Sequence, residues 1–222
     1  MYAIVPAHNE APTVGGVVRV LLEADVFDDV IVVDDGSSDD TAQIAETAGA
    51  TVIRTPTNLG KGGAMRLGYD TVLARGATDP NRIAFFDSDL LTLTPEHVRA
   101  LAELSERGYD MVSLTQDRKT LFGYLQNRIS PLISGQRIVR RWVLDALPSD
   151  CWCGYCIELA MNDVVARHSG KSARLVMAGV KQRFKLDKVG VLESVKQQWK
   201  MAKQIASTRR ALARSKGRSC AT

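Results

Sequence analysis

The sequence has little that would build a secreted, fibrous or membrane-spanning protein. Its 222 residues contain four cysteines and no run approaching the ~18 consecutive apolar residues of a membrane helix. The chain enters a strand-like Tyr2-Ala3-Ile4-Val5 without a basic-then-apolar leader, so reduced thiols in the cytoplasm are expected. Aromatic residues are only 6%, and Trp199 stands alone in the basic C-terminal segment. Nucleic-acid binding by base stacking has no support in such a composition. There is no internal repeat and no low-complexity linker.

Two nucleotide-binding signatures are also missing. No G-x-G-x-x-G turn follows the first strand, which counts against a dinucleotide-dependent oxidoreductase. A Walker A loop ending on Lys61 would need glycine at Thr55 and a hydroxyl residue at Gly62. A Glu-Asp dipeptide occurs nowhere in the chain.

What is present describes a globular protein, with 45% hydrophobic and 24% charged residues. The length suits one large domain or a domain with an appendage. The net charge of +4 hides a division: residues 1–170 hold 15 basic and 23 acidic groups, residues 171–222 hold 14 and 2. A basic tail on an acidic body implies either an anionic partner such as a membrane surface or a solvated helix face.

Short β-branched runs alternate with amphipathic stretches, the pattern of βα units in a parallel sheet. Strands are expected near 2–6, 29–34, 51–54, 82–86 and 110–114, and helices near 12–24, 40–48, 61–75 and 95–107. The last helix is announced by Thr94 as N-cap, Pro95 and Glu96. Residues 115–134 lack a clean period and read as a mobile loop with short helices. Further helices are expected over 155–168 and from 190 to about 215, the second with Lys196, Lys200, Lys203, Arg210 and Arg214 on one face.

Ligands of open α/β sheets bind beyond the carboxyl ends of the strands. There the sequence delivers Pro6-Ala7-His8-Asn9-Glu10, then Asp34-Asp35-Gly36-Ser37-Ser38-Asp39, then Asn58-Leu59-Gly60-Lys61-Gly62-Gly63, then Asp87-Ser88-Asp89. Asp87 and Asp89 would repel each other without a cation, and a hard divalent ion, Mg2+ or Mn2+, suits them. Such an ion would bridge a diphosphate and neutralise charge on a departing nucleotide. Lys61 among glycines at a helix start can approach a phosphate or sugar. Asp34 and Asp35 can accept hydrogen bonds from ribose or base, although a turn and helix cap explain Ser37, Ser38 and Asp39 equally well. Cys151, Cys153 and Cys156 could offer three thiolates to zinc, but half-buried thiols in a turn are the simpler reading, because no fourth ligand is evident and Cys220 is terminal.

In family order, these segments resemble the family 2 glycosyltransferases of GT-A fold, most closely the branch of dolichyl-phosphate mannose synthases and polyprenyl-phosphate sugar transferases. The resemblance runs through Val5–Glu10, Val33–Thr41, Asn58–Ala64 and Asp87–Asp89, with a weaker continuation at Ile133–Arg137 and Gly154–Glu158. It implies a mostly parallel sheet flanked by helices. Residues 1–188 would be the catalytic domain, with a nucleotide-sugar half (1–115) and an acceptor half (116–188), and 189–222 a basic amphipathic helix and tail. It further implies that Pro6, Ala7, Glu10, Asp34 and Asp35 cradle the nucleoside, that Lys61 lies near the nucleotide sugar, that Asp87 closes over ribose or sugar, and that Asp89 is the more direct metal ligand. Leu91 stands where relatives often carry glutamine, and Gln182-Arg183-Phe184 where some supply a histidine ligand.

The acceptor is read from chemistry. An alcohol needs a general base, often the aspartate of a Glu-Asp pair, whereas a phosphate is already anionic near neutral pH. Arg128, Arg137, Arg140 and Arg141 suit bidentate phosphate recognition, or else Arg140 and Arg141 belong to a solvated helix face. Glu158 could orient an acceptor hydroxyl or serve as an ordinary helix residue. The expectation is an inverting hexosyltransferase acting on a UDP- or GDP-sugar and polyprenyl phosphate, peripheral on the inner membrane face. The alternatives are a soluble phosphorylated acceptor, as in glucosyl phosphoglycerate synthases, and a non-catalytic nucleotide-sugar-binding membrane module.

Overall fold

The computed structural model describes residues 1–75, 81–116, 134–154 and 156–177. Seven strands form one sheet in the order β3-β2-β1-β4-β6-β5-β7. β1 (Tyr2–Ala7), β2 (Asp29–Asp34), β3 (Thr51–Arg54) and β4 (Arg82–Phe85) run parallel. β5 (Met111–Gln116) and β7 (Ser172–Met177) are parallel to each other, and β6 (Arg137–Arg140) lies antiparallel between β4 and β5.

The helices are α1 (Val14–Glu23), α2 (Thr41–Thr47), α3 (Gly60–Ala74), α4 (Pro95–Glu106), α5 (Arg141–Asp145) and α6 (Cys156–Arg167), with a 3-10 turn at Ser149–Cys151. The central strands are apolar on both faces because helices cover both, as parallel sheets require. Alternation along β1 shows the division: Ala3 and Val5 pack with Val17, Leu21, Val98 and Leu101, while Ile4 packs with Met65, Tyr69, Ile157 and Met161. α3 lies close on β1, since a Cβ at Gly68 would come 2.6 Å from Ile4 Cγ2. α4 starts as its sequence announces, with Thr94 Oγ1 accepting from His97 N and His97 Nδ1 accepting from Thr94 N, a capping box closed by histidine.

The expected strands and helices of the first 114 residues fall within two residues of the observed bounds, and the sheet is mostly parallel. β6 and β7 are additions to that expectation. β6 is only four residues long and bounded by arginines, so it carries no alternation from which a strand is read. Residues 117–133 of the expected loop, Arg128, and the helix expected from 190 onward lie outside the described residues. Among the described residues, no helix is long and apolar enough to cross a membrane.

Asp110 ties the second half of the sheet together. Its carboxylate accepts from Trp142 Nε1 at 3.0 Å and Lys171 N at 2.8 Å, with Arg140 Nε at 3.8 Å. Burial pulls this carboxyl upward, but the Lys171 amide, the Trp142 indole and the Arg140 charge together hold it below the usual aspartate range. A depressed carboxyl supports folding above the unfolded-state value of ~3.9 and loses that support as pH falls through the folded-state value. Asp110→Asn is therefore expected to lower unfolding free energy by about 1–3 kcal/mol at pH 7. In urea titrations the gap to wild type should narrow below about pH 4.

Candidate active site

Register places the chemistry on one edge. Ala7 pairs with Asp34 and Asp34 with Arg54, while Ile4 pairs with Phe85, so β1, β2, β3 and β4 all end there. The turn after β1 is locked to the turn after β2. Asn9, at φ 55°, donates its amide to Ser37 Oγ at 2.9 Å, and its side-chain oxygen accepts from Ser38 N at 2.9 Å. A His8 ring nitrogen donates to Asp35 O at 2.8 Å.

Pro6 and Ala7 are the last residues of β1, and Glu10 is buried with its amide donating to Thr41 Oγ1. Asp34 is buried and accepts from Ser37 N at 3.1 Å, with Arg54 Nε at 3.5 Å. Asp35 Oδ1 accepts from Leu59 N at 2.6 Å, fixing the entry to α3. Asp39 Oδ1 accepts from Thr41 N at 3.1 Å, while the N-cap of α2 is Asp40; burial raises the Asp39 carboxyl, yet the Thr41 hydroxyl and the Ala11 and Thr41 amides hold it below the ordinary value. Together these residues form a hydrogen-bonded polar cluster at the carboxyl ends of β1 and β2.

Lys61 enters from the first turn of α3. Gly60 has φ +76°, and a Cβ at Gly62 would lie 2.6 Å from the Trp152 carbonyl carbon, so this turn packs on the chain leading into α6. Lys61 Nζ then reaches Asp87 Oδ1 and Glu158 Oε1, both at 2.7 Å. Burial pulls the ammonium down, but the two carboxylates outweigh it and hold Lys61 above the usual lysine range. Ser88 Oγ donates to Pro6 O at 3.0 Å and pins the Asp87-Ser88-Asp89 turn to β1. The turn also keeps Asp89 Oδ1 out of solvent.

The donor set fits a divalent ion that shares its coordination with a bound anion. Asp87 is held by Lys61 at one oxygen and by Gln136 Nε2 at the other, at 2.7 Å, and Asp89 follows it on the same turn. Among the described residues, no group of three or more His, Cys, Asp or Glu could hold a metal by itself. Magnesium-type ions are commonly bound in this way, through one or two carboxylates plus substrate phosphates. Cys151, Cys153 and Cys156 form no such metal-holding group either, and burial pushes the Cys151 and Cys153 thiols up to about 11.

Of the expected acceptor arginines among the described residues, Arg137, Arg140 and Arg141, only Arg137 comes to this edge. β6 runs antiparallel, so Arg137 lies opposite Phe85 near the site, whereas Arg140 lies opposite Arg82 at the far end of the sheet. Arg141 follows it there and pairs with Asp145, and Arg140 faces Asp110. Arg137 is 1% exposed, with its guanidinium donating to Ser134 O at 2.9 Å and Glu158 O at 3.3 Å. It braces the segments that carry Gln136 and Glu158. Arg140→Ala and Arg141→Ala are accordingly expected to leave acceptor KM within about twofold of wild type in steady-state kinetics.

Gln136 and Ser88 are the site residues that the sequence reading passed over. Gln136 stands within a matched stretch, but its role depends on β6 pairing with β4, for which four residues give no local signal.

Comparison with known proteins adds the lineage. Residues 2–155 match the family described as Glycosyl transferase family 2. The chain is 38% identical over 116 residues to Glycosyltransferase AglD of Haloferax volcanii, spanning 47% of this chain and 17% of that protein. It is 37% identical over 101 residues to a 4,4'-diaponeurosporenoate glycosyltransferase of Staphylococcus aureus, spanning 44% and 26%. These matches therefore span only about a sixth to a quarter of the relatives' length. A crystal structure of glucosyl-3-phosphoglycerate synthase from Mycobacterium tuberculosis, with Mn2+, UDP and glucosyl-3-phosphoglycerate, superposes at TM-score 0.71 and 25% identity over 95% of this chain and 78% of that one. The complex of the same enzyme with Mn2+, UDP-glucose and phosphoglyceric acid gives 0.67 and 26% over 85% and 74%. With this GT-A architecture and a match over well more than half its length, the chain belongs to glycosyl transferase family 2.

Proposed function

We propose that this protein is an inverting glycosyltransferase that moves a hexose from a nucleoside diphosphate, UDP before GDP, to a phosphate-bearing acceptor. The observation that carries the reading is Lys61, held 2.7 Å from both Asp87 and Glu158 on the edge where the strands deliver Asp34, Asp35 and Asp89. Pro6, Ala7, Glu10, Asp34 and Asp35 bind the nucleoside, and the family resemblance and the UDP complexes of the structural neighbours support that assignment. Asp89, with Asp87 beside it, would hold a Mg2+ or Mn2+ ion, which would supply charge neutralisation at the diphosphate.

Lys61 orients Asp87 and places positive charge beside the sugar-diphosphate linkage, where negative charge grows on the leaving group. The acceptor oxygen forms a bond to the anomeric carbon as the bond from that carbon to the diphosphate oxygen breaks, and the nucleoside diphosphate departs. The anomeric configuration inverts. Glu158 is engaged by Lys61, and the chain has no Glu-Asp pair, so an acceptor that needs no strong base suits the site.

Two sources of acceptor phosphate fit this chemistry. Polyprenyl phosphate agrees with the basic segment after 170 and with the dolichyl-phosphate mannose synthase resemblance, and the enzyme would then act at the cytoplasmic membrane face. A soluble phosphorylated metabolite is favoured by the neighbours' phosphoglycerate complexes. The test supplies labelled UDP-glucose and GDP-mannose with Mn2+ and native membranes, then partitions the product. Metal-dependent label in the organic phase identifies the lipid phosphate, label only in the aqueous phase identifies the metabolite, and no transfer from either donor overturns the reading.

A further inference from the structure

Asp87 is held from a side that sugar transfer does not itself require. Gln136 immediately precedes β6 and is 5% exposed, with Nε2 donating to Asp87 Oδ2 at 2.7 Å. A carboxylate oxygen can only accept here, so the Gln136 amide presents its NH2 to Asp87 and turns Oε1 towards Ser134 Oγ, 3.2 Å away. The other Asp87 oxygen takes the Lys61 ammonium. Behind the carboxylate stands the backbone of Gly135, where a Cβ would come 2.1 Å from Asp87 Oδ2 and 2.3 Å from Oδ1. Any side chain at 135 would displace the carboxylate, so glycine is required by Asp87 and not by backbone conformation, since Gly135 is not among the positive-φ residues.

We propose that Ser134-Gly135-Gln136 is a positioning device for Asp87 that sets this carboxylate, and through it Lys61, against the nucleotide sugar. The proposal rests on the reading of the edge as a nucleotide-sugar site. Gln136 acts through Asp87 and is a positioning residue. The hydrogen bond is to a charged group and part-buried, and Lys61 holds the other oxygen, so its loss loosens the orientation of the Asp87 carboxylate. This segment, matched in sequence to the acceptor half, thereby belongs to the donor side of the site.

The experiment is a double-mutant cycle on the full chain, read by calorimetric titration of UDP and of GDP with Mn2+, with thermal unfolding in parallel. Gln136→Leu should weaken binding about 10- to 100-fold, the effect of losing one hydrogen bond to a charged group. Added to Asp87→Ala, the same change should have almost no further effect, because its route is gone. Gly135→Ala should behave like Gln136→Leu and serves the same cycle if the leucine variant does not fold. An equal loss in both backgrounds, or wild-type affinity in Gln136→Leu and Gly135→Ala, overturns the positioning role while leaving the proposed function intact. A wild-type protein that binds neither nucleotide overturns both.

Discussion

Lys61→Met is expected to reduce kcat/KM by about a thousandfold, towards the upper end of losses seen when a charge-stabilising donor is removed. Methionine keeps length and apolar stem but leaves Asp87 and Glu158 facing one position without their shared ammonium. Glu158 is 1% exposed and, among the described residues, its Oε2 has no hydrogen-bond partner, so losing Lys61 leaves a buried carboxylate without its ammonium. Breaking a buried pair from one side typically costs about 3–5 kcal/mol, and the partial exposure of Lys61 places this site at or below the lower end. Adding Glu158→Gln should recover much of the stability and none of the activity, because only the folding defect comes from the stranded charge. The sign of the pH dependence follows from the raised ammonium. Its contribution to folding is complete below the ordinary lysine value of ~10.4 and declines only as pH rises through the higher folded-state value. Denaturant titrations from pH 6 to 9 should therefore show no loss of wild-type stability through Lys61.

Asp89→Ala is expected to abolish measurable turnover and to remove the dependence of nucleotide binding on Mn2+. The family resemblance makes Asp89 the proposed metal ligand, and Asp87 is held by Lys61 and Gln136. Asp87→Ala should differ in kind, weakening sugar-nucleotide binding while retaining part of the metal response. Titrating UDP and GDP with and without Mn2+ separates the two variants. Identical behaviour would show that the aspartates form a single ligand set.

The first four strands and the turns that follow them were legible because they are assembled in chain order. Each βα unit announces its strand by a β-branched run and its helix by a turn, so Pro6, Asp34, Asp35, Lys61 and Asp87 could be assigned to a single edge before any coordinates. The second half breaks that logic at β6. An antiparallel strand reverses the edge on which successive residues emerge, which carries Arg140 and Arg141 away from the site while leaving Gln136 and Arg137 near it. Nor could a local pattern disclose the Lys61–Glu158 pair, whose members are 97 residues apart and meet because Gly62 lets α3 close on Trp152. Glu158 was visible as a carboxylate in a matched segment. Lys61 was visible too, but not that the two meet.

The central claim is that this edge binds a nucleoside diphosphate through a divalent ion. Calorimetric titration of the wild-type chain with UDP and with GDP, in Mn2+ and then in chelator, tests it most directly. The account predicts one-to-one binding of one of the two nucleotides that disappears in chelator and in Asp89→Ala. Binding of neither, or equal binding with and without the ion, would contradict it.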